Sequence, residues 1–223
     1  MMGFRMKNLG PQWSWVREDP ARWSLGEKPG AMLLTTGPGD IVRNGNDATN
    51  ILLQSANTDW TVDTKMVCAG APAAPAQNAG LVAYGCDDNF VKFVYAATFN
   101  FRRPADAGPA AGQLQLLVEE NGEQKSLTSL SLEGVEGVND GLWLRLVKQG
   151  DNYTAYYSVD GRKYEKVGTA KAVLEDVRVG VMACEGAMPA MGRGMPRGGM
   201  QMPAPAPLKV AFEEFKIVSG GLK

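Results

Sequence analysis

The sequence predicts an all-β protein, a two-sheet antiparallel sandwich. Three observations predict it. Short apolar–polar runs alternate with period two, as in 60–68, where Trp60, Val62, Thr64, Met66 and Cys68 share one face. Glycine, at 27 of 223 residues, falls between these runs together with Asn and Asp, where tight turns need it. No segment carries an apolar stripe at helical spacing.

The elements follow in order. Strands are expected at 32–35 and 50–55, then at 60–68. The stretch 79–84 turns through Cys86-Asp87-Asp88-Asn89 and returns as 90–96. The stretch 113–118 turns at Glu119-Glu120-Asn121-Gly122 and returns as 126–132. A meander follows: 142–148, a turn at Gln149-Gly150-Asp151-Asn152, 153–158, the Asp160-Gly161 turn, and 163–167. Strands at 176–184 and 208–218 complete about a dozen.

Composition removes several function classes. Lys plus Arg is 23 against Asp plus Glu 24, a net charge of -1, without the basic excess of a nucleic-acid binder. No apolar run has the roughly 18 residues of a transmembrane helix, so no membrane partner is expected. Residues 1–10 include two basic side chains but no apolar stretch, and no signal peptide is read there. The chain has no histidine, which excludes Ser-His-Asp and Cys-His catalysis and His-bearing zinc sites. Cys68, Cys86 and Cys184 show no metal-ligand spacing and are expected to be buried thiols acting as small hydrophobes.

Carboxylate chemistry remains open, but its pattern is missing. Glycosidases place two carboxyl groups on opposite sides of the scissile bond. Glu119-Glu120 and Glu213-Glu214 are adjacent residues, which face opposite ways on a strand and form no dyad. By itself the chain is not expected to be an enzyme, and no cofactor is expected. Calcium is the one weighed: Asp87-Asp88-Asn89 offers oxygens at a turn that Asp40, Asp59 and Asp63 could approach, against a plain side-chain-stabilised turn.

Three Ala-, Pro-, Gly- and Met-rich stretches, 69–77, 104–112 and 186–207, read as insertions between strands. The chain then divides into an extension at 1–12, one sandwich over 13–218 and a tail at 219–223. The Met-rich tract 186–207 has few β-branched residues to bury. Replacing it with a short Gly-Ser link should leave the melting temperature nearly unchanged, because shortening a loop alters little entropy.

The order of segments is itself informative. It runs Trp13-Ser14-Trp15, Trp23-Ser24-Leu25, Gly39-Asp40-Ile41, Asn50-Ile51-Leu52-Leu53-Gln54 and Asp59-Trp60-Thr61-Val62-Asp63. Then come Ala79-Gly80-Leu81-Val82, Asp87-Asp88-Asn89, Trp143-Leu144-Arg145-Leu146 and Tyr153-Thr154-Ala155-Tyr156-Tyr157-Ser158-Val159-Asp160-Gly161. This resembles the concanavalin A-like domain at the C-terminus of glycoside hydrolase family 43 β-xylosidases and arabinofuranosidases. The resemblance implies a jelly roll of two curved sheets that packs, in complete enzymes, against a catalytic five-bladed propeller. It also implies oligo- or polysaccharide of the plant type as a ligand. A docking or dimerising domain without sugar affinity, with a second copy as partner, and a glycoside hydrolase component are the alternatives.

Sugars are held by aromatic platforms and planar polar side chains. With Leu144 and Leu146 inward, Trp143 and Arg145 face out. A three-residue turn at Asp88 sets Tyr84 opposite Lys92, with Val82 on the same face. Tyr84, Lys92, Trp143, Arg145 and Tyr156 are thus expected to form one wall on a concave sheet. The competing expectation is that Arg145 pairs with a neighbouring carboxylate.

Overall fold

A computed structural model describes residues 4, 8–56, 58–72, 77–98, 112–186 and 206–220. Fourteen strands form two antiparallel seven-stranded sheets, with three single 3-10 turns and no α-helix among the described residues. The predicted sandwich is therefore observed.

The strands are β1 (Trp13–Val16), β2 (Trp23–Ser24), β3 (Met32–Thr35), β4 (Ile51–Ser55), β5 (Trp60–Cys68), β6 (Asn78–Cys86) and β7 (Asn89–Ala96). They continue as β8 (Gln113–Glu120), β9 (Glu123–Ser131), β10 (Leu142–Gln149), β11 (Asn152–Ser158), β12 (Glu165–Lys171), β13 (Arg178–Cys184) and β14 (Lys209–Ser219). Sheet A has the order β1-β4-β13-β6-β7-β8-β9, and sheet B the order β12-β11-β10-β5-β14-β3-β2.

Alternation fills the space between the sheets. Leu81, Ala83, Val91, Phe93, Leu116 and Val118 of sheet A meet Trp60, Val62, Met66, Leu144, Leu146 and Phe212 of sheet B. Trp60 and Tyr153 pack edge to face, with ring centroids 6.1 Å apart. Phe4, in the stretch read as an extension, is buried and stacks on Trp13 at 5.2 Å.

Local chemistry sets the strand ends. Asn121 and Gly122 both have positive φ, 55° and 72°, so the β8–β9 turn takes the two-residue form whose twist suits a hairpin. Asp160 Oδ1 accepts from the amides of Arg162 and Lys163, and Ser158 Oγ accepts from those of Asp160 and Gly161. The Lys163 and Arg162 amides, with the Ser158 hydroxyl, hold the Asp160 carboxyl down to about 2. The same bonds keep the chain in a loop beyond 163, so the strand expected at 163–167 begins at Glu165. The short edge strands β1 and β2 were not among the predicted strands. Of the three insertions, 73–76, 104–111 and 187–205 lie outside the described residues.

The cysteines divide. Cys184 is buried, Cys68 half-buried and Cys86 exposed at the β6–β7 turn, which corrects the expectation of three buried thiols. Burial pushes the Cys68 thiol up to about 12, so it is an inert neutral group.

Candidate functional site

The five predicted residues do not form one wall. Tyr84 lies on β6 and Lys92 on β7, in sheet A; Trp143 and Arg145 lie on β10 and Tyr156 on β11, in sheet B. Each set faces away from the inter-sheet core, so the two sets stand on opposite sides of the sandwich. Their shared outward parity was legible from alternation; the sheet to which each strand belongs was not.

Around Tyr84 and Lys92 the expected register is also corrected. Lys92 pairs with Val82, and Tyr84 with Phe90. The turn is two residues long and a bulge falls between Tyr84 and Cys86, which slips the pairing by two residues. A slip of two keeps side chains on their face, so Val82, Tyr84 and Lys92 still share one.

That face of sheet A is covered. The segment between β3 and β4 folds over it, and Ile41 and Ala48 pack on Val82, Tyr84, Phe90, Leu117 and Met182. Lys92 is buried, and its Nζ donates to Asp40 Oδ1 at 2.6 Å. Asp40 Oδ2 accepts from Asn78 Nδ2 at 3.1 Å. The buried Glu119 accepts the backbone N–H of Arg43 through both oxygens at 2.9 Å. Burial works against the Lys92 ammonium, but Asp40, Cys184 and Glu119 outweigh it and raise its pKa. Tyr84 Oη donates to Asp87 at 2.8 Å, and Arg17 holds the same carboxylate bidentately at 2.7 and 2.9 Å. Both residues serve the packing of this cover and do not face solvent as a sugar wall.

The outer face of sheet B is different. Arg145 pairs across β10 and β5 with Asp63 through a bidentate contact, Nε to Oδ1 at 2.6 Å and Nη2 to Oδ2 at 3.1 Å. Its guanidinium carbon lies 3.9 Å from the centroid of Tyr164, a residue of the β11–β12 loop. The hydrogen bond to Asp63 raises the Arg145 pKa. The pairing with a carboxylate is therefore observed, yet about 23% of the side chain stays exposed and Nη1 has no hydrogen bond among the described residues. Tyr156 pairs with Arg145 on one side and Lys166 on the other, half-buried. Trp143 is half-buried too, with Lys65 Nζ 4.9 Å from its ring centroid. A Cβ on Gly161 would come within 2.8 Å of the indole, so the turn backbone rests on Trp143 and the ring is not a bare platform. Sequence reasoning missed Asp63 as the partner and Tyr164 as the lid of Arg145. The register sum of β5 and β10 would have been needed to find the first.

The carboxylates weighed for calcium do not converge. Asp87 serves Arg17 and Tyr84, Asp40 serves Lys92, Asp63 serves Arg145, and Asp59 accepts the Gly150 amide at 2.8 Å. Among the described residues no group of three or more acidic or thiol side chains gathers as a metal site. A cleft of about 590 Å³ at one end of the sandwich is lined by Gly85, Cys86, Asn89, Glu120, Asn121 and Glu175, among others.

Comparison with known proteins agrees with this architecture. The BlXynB protein of Bacillus licheniformis, of glycoside hydrolase family 43, superposes with a TM-score of 0.75 at 21% identity, over 98% of this chain and 39% of its own. Xylan β-1,4-xylosidase from Bacillus halodurans C-125 gives 0.67 at 17% identity, over 97% and 38%. A functionally unknown protein from Saccharomyces cerevisiae gives 0.65 at 16% identity, over 94% of this chain and 97% of its own. The chain thus spans about two fifths of the bacterial proteins but nearly the whole of the yeast one. A search of curated protein sequences finds no match. The model of the β-xylosidase C-terminal concanavalin A-like domain matches residues 2–192, and the chain belongs to that family.

Proposed function

We propose that this domain is a non-catalytic accessory module of the kind attached to β-xylosidases and arabinofuranosidases, and that it binds plant-type oligo- or polysaccharide weakly on the outer face of sheet B. One observation carries the reading. Sheet A is roofed by residues 41 and 48 and their neighbours, while sheet B presents Trp143, Arg145, Tyr156 and Tyr164 half-exposed. Arg145 is held in place before any ligand arrives by Asp63 and Tyr164, so little side-chain entropy is lost on contact. Guanidinium and aromatic ring together suit sugar hydroxyls and ring C–H groups. An open sheet face buries little of a ligand, which keeps affinity low.

Family membership supports an attached family 43 catalytic domain as the partner, since the bacterial relatives are much longer than this fold. Titration of xylo- and arabino-oligosaccharides by NMR tests the sugar reading. The wild type should bind at millimolar sugar and Arg145→Ala should not. Arg145→Lys, which keeps the charge but not the fork, should lose most of the binding. No binding by the wild type, or equal binding by all three, removes the site.

A further inference from the structure

The outer face of sheet B carries more cations than acids. Six cations sit at outward strand positions of sheet B: Lys65, Arg145, Lys166, Lys171, Lys209 and Lys216. Three acids accompany them, Asp63, Glu213 and Glu214, in a chain whose net charge is -1. Asp63 is taken by Arg145, and Glu213 is shared at 2.6 Å by Lys28 and Lys65. Lys171 approaches Asp151 at 3.9 Å, and Lys209 is paired with Glu27.

Lys166 and Lys216 are different. Both are exposed, and neither has an ion pair among the described residues. Register puts them in one line across the face, Lys166–Tyr156–Arg145–Asp63–Lys216, on β12, β11, β10, β5 and β14. At about 4.8 Å per strand the line is roughly 19 Å long, with a free ammonium at each end and the aromatic–guanidinium pair between. Such a line fits an extended polymer that carries occasional negative charge.

We infer that the ligand of this face is an acidic glycan, a polysaccharide bearing uronic-acid carboxylates, and that Lys166 and Lys216 are the carboxylate-reading residues. The inference rests on the glycan reading above and narrows it to one class of sugar.

The test uses a glucuronate-substituted xylo-oligosaccharide, its carboxyl-reduced counterpart, the intact chain and the variant Lys166→Glu/Lys216→Glu, whose melting temperature should match wild type because both side chains are exposed. The acidic sugar should bind wild type about tenfold more tightly than the reduced one, the factor that 1.4 kcal/mol sets. That advantage should vanish in the double variant and in about 1 M salt, where the Debye length is about 3 Å. The reduced sugar should bind wild type and variant alike. Equal affinity for the acidic and reduced sugars overturns the inference while the glycan reading stands. An undiminished advantage in the double variant also overturns it, because the carboxylate is then read elsewhere. Binding of neither sugar removes the glycan reading and the inference together.

Discussion

Replacing Lys92 by alanine is expected to destabilise the domain by about 3–5 kcal/mol, the range for breaking a buried ion pair from one side. The ammonium is buried, it is the hydrogen-bonded partner of Asp40, and the Glu119 carboxylate shares its neighbourhood. Removing it leaves carboxylate charge inside the cover of sheet A. At about 2–4 °C per kcal/mol for a chain of this size, the melting temperature should fall by about 6–20 °C. Lys92→Met combined with Asp40→Leu removes both charges and should recover much of the loss. The pH dependence has a definite sign. Lys92 holds its proton more tightly in the fold than in the unfolded chain, whose reference value is 10.5. The pair's contribution is therefore complete below that pH and is lost as pH rises through the higher folded value. Wild type should show this alkaline loss in thermal melts, and the double variant should show less of it; a loss remains there because the phenols of Tyr84 and Tyr153 and the Cys68 and Cys184 thiols are also raised by burial. A melting temperature of Lys92→Ala within a degree or two of wild type would mean that the cover contributes nothing to global stability.

Gly180→Ala is expected to have a comparable effect by a different route. Gly180 lies in β13, between β4 and β6. A Cβ there would overlap the carbonyl oxygen of Leu52 and fall 2.9 Å from the Cα of Leu53. Both are backbone atoms of the paired strand, which cannot swing aside as a side-chain end would, so the ladder must open. Overpacking ordinarily costs about 1–3 kcal/mol, and a clash with backbone belongs at or above the top of that range. Urea titration should show a lower midpoint with little change in slope. Gly150→Ala serves as a comparison: it sits at positive φ in a two-residue turn with open space around its Cβ, and its cost is the left-handed backbone alone, about 1 kcal/mol. Equal midpoints for the two variants would refute the argument from close approach.

Period-two alternation, the Gly-, Asn- and Asp-bearing turns and the lack of a helical stripe together determined the sandwich and most of its strands; β6 and β7, buried on both faces, were marked mainly by the turn between them. It also determined that Trp143 and Arg145 point out, since Leu144 and Leu146 must point in. The missing histidine was equally legible. What only the tertiary structure decided is which outward face meets water. Alternation assigns a side chain to a side of its own strand and says nothing about which sheet that strand joins. Tyr84 and Lys92 share their outward parity with Trp143 and Arg145, yet β6 and β7 entered sheet A and β10 entered sheet B. Nor does local pattern foresee that a segment 52 residues before Lys92 folds back, places Asp40 on it and converts an outward lysine into a buried one. A lysine with no carboxylate in reach stays in solvent; one given a partner at 2.6 Å can be roofed over. That difference is a long-range contact, and it separates the packed face of this domain from the face that remains open to solvent.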